Sequence, residues 1–521
     1  MKKIGAVLCG LALALSASAA ERPNILLIFA DDLGYGEPGC YGGKLTATPA
    51  IDSLARDGVR CTAGYVTAPV CAPSRCGLMT GAYNQCFGIQ WNDDRAKYTV
   101  GAHKVLPQAL KAAGYVTGHI GKWNVGADIA GCFDEVFDLI DWEADYLPDA
   151  TNHYFGVDSA TEHASSKRQG LWGPEWAGAE YLTDRIGRHA VEFITKHKGG
   201  ARPFFLYLAF NAVHTPLQAK LEWKARFAHL KPPLDLFAAM LAALDENVGR
   251  VLAALPENTL VVFTSDNGPA KAGAQVWPAD MPKDLLLGSA GPLNGHKATF
   301  YEGGIREPFI VRWSGRLKAG SVYPQAVSTM DLYPTFLAAA GAAVPEGTKL
   351  DGVNLLPFLG GEKSGAPHEI LFWKHGENGA VRQGDWKLFL SPSQPKRQLF
   401  NLADDIGEKQ DRAAEKPELT EKLYKAWLDW SAALPPRANP APAKAGKGKQ
   451  AAAPGSAEKI QERIALFETK DKNRDGQLSW EEFFTRQTDE ETGRARFKGW
   501  DTNQDGFLSR DEFIHMGSKA K

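Results

Sequence analysis

Four places in the chain set oxygen-rich or proton-carrying side chains directly after an apolar run: Asp31-Asp32, Lys122, His214 and Asp266-Asn267. Two adjacent aspartates and an Asp-Asn pair supply hard oxygen ligands, which suit calcium or magnesium and suit zinc poorly, since zinc favours His and Cys. Singly, each pair serves equally well as a helix cap or a turn. Their shared placement separates them from that reading, because ligands of open α/β sheets gather beyond the carboxyl ends of the strands. A further candidate is the run Cys71-Ala72-Pro73-Ser74-Arg75-Cys76-Gly77-Leu78-Met79-Thr80-Gly81, in which Cys71 stands at the entrance of a short expected helix ending at Gly81. Backbone N–H groups and the helix dipole favour an anion at that point. Taken alone, Cys71 reads as a buried apolar residue, Arg75 as a surface helix residue, Lys122 and Lys297 as solvated charges, and His214 as a core histidine.

A second kind of chemistry lies near the C-terminus. Asp471, Asn473, Asp475, Gly476, Gln477 and Glu482 fill the ligand and turn positions of an EF-hand loop, and Asp501, Asn503, Asp505, Gly506, Phe507 and Glu512 repeat the pattern. Each loop offers three short oxygen ligands, a turn glycine, a backbone carbonyl at the seventh place and a terminal bidentate glutamate, so each is expected to bind Ca2+. Stabilisation, surface attachment and polysaccharide binding are all roles such a pair can serve.

Positioning these groups requires a large fold. Apolar runs bounded by turn residues at Ile25 to Phe29, Val116 to Ile120, Phe204 to Phe210, Leu260 to Thr264 and Phe309 to Trp313 read as buried strands. Helical patterns fall between them, from Thr48-Pro49 to Gly58, Val105 to Ala113, Glu180 to Lys198 and Leu234 to Leu255. Such alternation indicates an α/β sheet covered on both faces. From His368 the pattern changes to short strands, Glu369 to Trp373, Trp386 to Leu390 and Gln398 to Asn401, followed by a helix over Pro417 to Ala433. Residues 434–456 are rich in Pro, Ala, Gly and Lys and read as a flexible linker to a unit starting near Ala457.

With 59 Lys and Arg against 61 Asp and Glu, the formal charge of -2 offers no broad positive field for nucleic acid, so anion recognition must be local. The N-terminus reads Lys2-Lys3, an apolar run from Ile4 to Leu15, then Ser16-Ala17-Ser18-Ala19-Ala20, the three parts of a secretory signal. That run is shorter than the roughly twenty residues a membrane span needs, and no later stretch is long enough. Residues 1–20 are therefore expected to be a signal peptide, and the mature chain periplasmic or extracellular. The six cysteines beyond Cys9 are too few to build a disulfide scaffold in a chain of 521 residues.

The Cys71-to-Gly81 run, followed in order by Gly114-Tyr115-Val116-Thr117-Gly118-His119-Ile120-Gly121-Lys122-Trp123 and by Tyr301-Glu302-Gly303-Gly304-Ile305-Arg306-Glu307-Pro308, resembles the type I sulfatases over roughly residues 22–433. The resemblance implies an alkaline-phosphatase-like α/β fold with a large mixed, mostly parallel sheet between helices. It further implies a catalytic domain over 21–367 and a small antiparallel subdomain over 368–433, ahead of the EF-hand pair at 457–521. In that family the cysteine matching Cys71 is oxidised by a maturation enzyme to formylglycine, whose hydrated aldehyde is the nucleophile. By resemblance Asp31, Asp32, Asp266 and Asn267, with the modified Cys71, bind calcium. Arg75 holds the formylglycine, while Lys122, His214 and Lys297 contact the sulfate or the leaving oxygen. Arg306 is expected to order the loop that carries Lys297.

One departure stands out. Where the family has Gly-Lys-Trp-His, this chain has Gly121-Lys122-Trp123-Asn124, and Asn cannot take up a proton near neutral pH. A lower rate, a relocated base and lost activity are the three consequences to separate. The implied function is hydrolysis of sulfate esters, with sulfated carbohydrate as the substrate class. Its rivals are a formylglycine-dependent phosphodiester or phosphonate ester hydrolase and a non-catalytic, calcium-dependent binder of sulfated polysaccharide.

Overall fold

The computed structural model describes residues 22–97, 103–125, 129–140, 146, 180–271, 284–393 and 395–438, and most of 464–484 and 494–515. The expected signal peptide lies outside the described residues. The chain forms two compact units, Met1–Ala441 and Pro442–Lys521.

The first unit is organised by a mixed sheet. Its centre is β1 (Asn24–Ala30), β3 (Val116–Lys122), β5 (Phe204–Ala209) and β6 (Thr259–Ser265), all parallel. Beyond them lie β2 (Val59–Tyr65), β4 (Glu135–Ile140) and β7 (Arg306–Arg312), and among the described residues the order runs β2-β7-β6-β1-β5-β3-β4. Only β7 in this series runs against its neighbours, and two short strands, Ser321–Tyr323 and Val327–Ser328, extend the edge beside β2.

The apolar runs are continuous because both faces of the sheet are covered. Alternate residues feed two separate cores: Leu26, Ile28, Leu206, Leu208, Val261 and Phe263 enter one, and Ile25, Leu27, Phe29, Phe205, Tyr207 and Val262 the other. Helices α1 (Pro49–Arg56), α4 (Leu182–His197) and α5 (Leu234–Ala254) close the first face. On the second face lie α2 (Cys71–Thr80), α3 (Leu106–Ala112) and α6 (Leu332–Ala339). Truncating one such fully buried side chain, Ile28→Ala for example, costs about 2–5 kcal/mol.

From Ile370 the chain builds a four-stranded antiparallel sheet, β8 (Ile370–His375), β9 (Asn378–Gln383), β10 (Trp386–Leu390) and β11 (Arg397–Asn401), in sequential order. Helix α7 (Pro417–Ala432) seats Leu423 and Trp427 on Val381, Leu388 and Leu399. This sheet is continuous with the main body: Trp373 packs on Tyr65 and its Nε1 donates to the Val66 carbonyl at 2.7 Å. Residues 434–438 share the expected linker's Pro- and Ala-rich composition but are held to the first unit. The Arg437 guanidinium finds Asp93 and Asp94, and Ala438 N donates to Gly88 O at 2.8 Å.

In the second unit Gln477–Leu478 pairs antiparallel with Leu508–Ser509, joining the two loops. Phe467, Leu478, Phe497, Leu508 and Phe513 form its core. Gly476 and Gly506 take φ of 81° and 85°, the conformation the sixth loop position demands. Among the described residues no helix is long and apolar enough to cross a membrane.

Candidate active site

Asp31-Asp32 follow β1, Lys122 ends β3, His214 follows β5 and Asp266-Asn267 follow β6, so parallel pairing brings all of them to one edge of the sheet. Strand β2 runs in the same direction, and the turn after it delivers Cys71 to the first position of α2 at that edge. Asp31, Asp32, Cys71 and His214 each place one ligating atom within 4.8 Å of the others.

Every charge here is partnered, and all but the half-buried Lys297 are buried. Arg75, one turn into α2, directs Nε and Nη2 to Asp266 Oδ2 at 3.0 and 2.8 Å, and its Nη1 to the Lys122 carbonyl and the Tyr207 hydroxyl at 2.9 and 3.1 Å. Its guanidinium also lies over the Phe29 ring, 5.0 Å from the centroid. Lys122 Nζ donates to Asp31 Oδ2, and Lys297 Nζ reaches both oxygens of Asp32, at 2.7 and 2.9 Å. His214 Nδ1 lies 2.7 Å from the Thr215 carbonyl, which can only accept, so Nδ1 carries the proton and Nε2 faces Asp32 Oδ2 at 3.7 Å. Tyr146 steadies this turn by donating to the Asn211 and His214 carbonyls at 2.5 and 2.8 Å.

The electrostatics follow from these contacts. Burial opposes ionisation of Asp31, yet Lys122, His214 and Arg75 together hold its carboxyl below the usual range. Asp32 behaves alike, with Lys297 and His214 outweighing burial. Asp266 is raised, by burial and then by Asp31, in spite of Arg75. Burial pushes the Cys71 thiol up to about 12, against Lys122 and Lys297. An unmodified thiol is thus a poor nucleophile here at neutral pH, since the thiolate is the reactive form.

The residues fit a hard divalent cation. Three carboxylates converge, the raised Asp266 leaves room for more positive charge, and the buried Asn267 Oδ1 has no hydrogen-bond partner among the described residues while its Nδ2 donates to Asp32 Oδ1 at 2.7 Å. A lone carbonyl oxygen buried without a donor is the arrangement a cation ligand requires. Asp32 sits at φ 59°, a left-handed conformation that Asp tolerates better than most residues.

Lys297 lies on no strand. Its N–H donates to the Pro269 carbonyl at 3.0 Å, and the following turn is fixed from the C-terminal sheet. Glu302 accepts from Tyr65 OH at 2.5 Å, Arg306 Nη1 at 3.0 Å and Lys387 Nζ at 2.8 Å, and its own N–H donates to Glu408 at 2.7 Å. Arg306 thus ties Glu302 to the Thr62 carbonyl of β2, its Nε donating there at 2.7 Å. Gly304 is required by proximity: a Cβ there would lie 2.2 Å from the Thr299 carbonyl. Sequence reasoning missed Tyr207, Tyr146, Lys387 and Glu408; Tyr207, hidden within an apolar strand run, gave no local signal at all.

Asn124 is fully buried and left-handed, with φ 49°. Of the histidines near it or near Lys297, His119 bonds the Gly121 carbonyl and is driven down to about 3 by burial, so it stays neutral. His296 Nδ1 faces the Lys297 carbonyl at 2.7 Å. His214 is the one whose ring joins the Cys71 cluster.

Comparison with known proteins agrees with this architecture. A family model described as sulfatase matches residues 23–342, one described as N-sulphoglucosamine sulphohydrolase, C-terminal, matches 295–424, and EF hand matches 464–484 and 495–516. The chain is 34% identical over 404 residues to N-acetylgalactosamine-6-sulfatase of Canis lupus familiaris, covering 71% of this chain and 72% of that protein. It is 33% identical over 411 residues to human arylsulfatase A, covering 72% and 76%. The solved structure of Ps i-CgsB in complex with k-i-k-neocarrahexaose superposes with a TM-score of 0.70 at 34% identity, over 80% of this chain and 94% of that one. The phosphonate monoester hydrolase of Agrobacterium radiobacter shares the fold, with a TM-score of 0.55 at 19% identity over 79% and 96%. The chain belongs to the sulfatase family and is a sulfuric ester hydrolase with a C-terminal pair of EF-hands.

Proposed function

We propose that this is an exported, formylglycine-dependent sulfatase that removes sulfate from sulfated carbohydrate. The observation that carries the reading is the buried cluster of Asp31, Asp32, Cys71 and His214 at the sheet edge, with Lys122 and Lys297 paired to the two aspartates. Asp31, Asp32, Asp266 and Asn267 would hold Ca2+, which when bound polarises sulfate oxygens and favours an ionised nucleophile. Cys71, oxidised to formylglycine, supplies that nucleophile as a hydrated aldehyde.

The rest follows from the chain's own groups. Arg75 fixes the end of β3 through the Lys122 carbonyl and holds Asp266, so both keep their places relative to Cys71. Lys122 and Lys297 turn ammonium N–H groups toward the bound sulfate. His214 Nε2, 3.7 Å from Asp32 Oδ2, is the ring nitrogen placed to pass a proton at the leaving oxygen. With Asn124 unable to titrate, proton transfer at this edge falls to His214. The names of the relatives, an N-acetylgalactosamine-6-sulfatase and a complex with a neocarrahexaose, support a sugar sulfate as substrate. The EF-hand loops would bind two further Ca2+ ions.

The test is the mass of the Cys71 peptide after co-expression with the maturation enzyme, together with turnover of an aryl sulfate and an aryl phosphodiester. Formylglycine with preferential sulfate release is the expected result. Exclusively unmodified cysteine favours the non-catalytic binder, and faster phosphodiester turnover favours the rival hydrolase.

A further inference from the structure

The C-terminal subdomain carries a cavity of about 600 Å³ walled by Lys374, Glu377, Lys396, Arg397, Tyr424 and Trp427. That volume is typical of small-ligand sites. Lys374, Lys396 and Arg397 face Glu377 in the wall, and Glu421 beside it pairs with Arg397 at 2.6 Å, so a positive excess of one charge is local to this wall in a chain whose overall charge is slightly negative. Two of the cations are held on aromatic faces: Lys374 Nζ lies 4.5 Å from the Trp427 ring centroid, and the Arg397 guanidinium 4.6 Å from that of Tyr424. Cations anchored in this way keep their remaining donors pointed and lose little freedom on binding an anion.

The cavity is joined to the catalytic edge by a short chain of contacts. Lys374 stands at the end of β8, and the next residue, His375, stacks on Trp91 with centroids 4.2 Å apart and planes 16° from parallel. Gly376 N donates to Gln90 Oε1 at 2.9 Å, and Gln85 Nε2 to the Lys374 carbonyl at 3.2 Å. Asn92, beside Trp91, accepts from the backbone N–H of Ala72 at 3.1 Å, one residue from Cys71. These contacts tie the Lys374 end of the wall, through the stacked rings of His375 and Trp91, to the first turn of the helix that Cys71 opens.

Resting on the sulfatase reading, we propose that this cavity is a secondary subsite. It holds an anionic sugar residue of the same saccharide whose sulfate ester lies at Cys71, so the enzyme favours oligosaccharides over small sulfate esters. Aromatic rings beside cations suit a ring that presents C–H faces and charged oxygens together.

Binding can be measured without turnover in the full-length Cys71→Ala variant, titrated calorimetrically with hexasaccharides and disaccharides of heparin, chondroitin sulfate and carrageenan. In at least one series the hexasaccharide should bind at least about tenfold tighter than its disaccharide. Adding Lys374→Ala and Arg397→Ala should cost the hexasaccharide tenfold or more, leave the disaccharide unchanged and flatten the salt dependence. Should that variant misfold, Lys396→Ala, at an exposed position, should still weaken the hexasaccharide alone. Undiminished hexasaccharide binding in the folded variants, or no hexasaccharide outbinding its disaccharide, overturns the subsite. Aryl sulfate turnover by the protein with Cys71 intact reports separately on the catalytic reading.

Discussion

Replacing Glu302 by Gln keeps the side chain's volume and deletes the charge on which Lys387, Arg306 and Tyr65 converge. Burial works against this carboxylate, yet Lys387, Arg306 and Arg382 overcome it and hold its pKa down at about 2 instead of 4.5. At about 1.4 kcal/mol for each factor of ten, that is roughly 3 kcal/mol of stability. Because the folded value is depressed, this contribution is complete above pH 4.5 and fades as pH falls toward 2. Glu408, 2.9 Å from the other side of Lys387, behaves oppositely. Burial, helped by Glu302 and opposed by Lys387, raises it to about 7, so stability is lost as pH rises from 4.5 to 7. In Glu302→Gln, Glu408 has Lys387 to itself and ionises, and the net loss at pH 7 narrows to about 1–3 kcal/mol. The double variant Glu302→Gln/Glu408→Gln leaves Lys387 buried without a carboxylate, and should lose more than the two single losses together by about 2 kcal/mol. Denaturant unfolding of both single variants and the double, at pH 5 and 7, measures this. Additive losses, or a Glu302→Gln protein as stable as the parent at both pH values, would refute the shared-lysine argument.

Three shorter predictions accompany it. Asn124→His should lower aryl sulfate turnover, because an imidazole overfills a buried left-handed position at a cost of about 1–3 kcal/mol; a faster enzyme with a new pH dependence near neutrality would instead show a missing base. His368 is buried 2.7 Å from Asp331, and although burial opposes its charge, Asp331 raises its pKa above 6.5. Its contribution, about 1–3 kcal/mol for a hydrogen bond to a charged group, is full below pH 6.5 and lost as pH rises through the raised value, so parent and His368→Gln should converge in alkali. Equal differences in stability at pH 6 and pH 10 would contradict this. Glu482→Gln with Glu512→Gln should remove two calcium sites from a calorimetric titration while leaving aryl sulfate hydrolysis unchanged; a slowed enzyme would tie the EF-hands to catalysis.

The readable parts of the fold were those governed by burial on both faces. Strands β1, β5 and β6 are continuous apolar runs and were found nearly to the residue, whereas β2, which delivers Cys71, was not. Its Val59, Cys61 and Ala63 point inward while Arg60 and Thr62 are half-exposed, and its Gly64 breaks the pattern. The same contrast divides the site. Asp31, Lys122, His214 and Asp266 were legible from position, since each follows a recognisable parallel strand. Arg75 was not, because nothing local distinguishes a buried arginine from a surface one; only the distant Asp266 and Tyr207 do. Lys297 came from family resemblance, its loop being set by Glu302, Lys387 and Glu408 across a hundred residues of chain.

The charge balance at the sheet edge explains how so many ionised groups tolerate burial. Asp31, Asp32 and Asp266 face Arg75, Lys122 and Lys297, three carboxylates against three cations, each within 3.0 Å of a partner. In a medium of low polarity a net charge of even one is expensive, so this equality is a condition of folding. The same equality constrains what can enter. A divalent cation alone would leave two positive charges in excess, and a sulfate ester alone one negative charge. The ion, the monoanionic ester and one ionised nucleophile together restore neutrality. On the proposed reading, binding of metal and of anionic substrate would therefore be cooperative by charge alone, and the unmodified Cys71 thiol, its pKa pushed up to about 12 by burial, is the group that oxidation would replace.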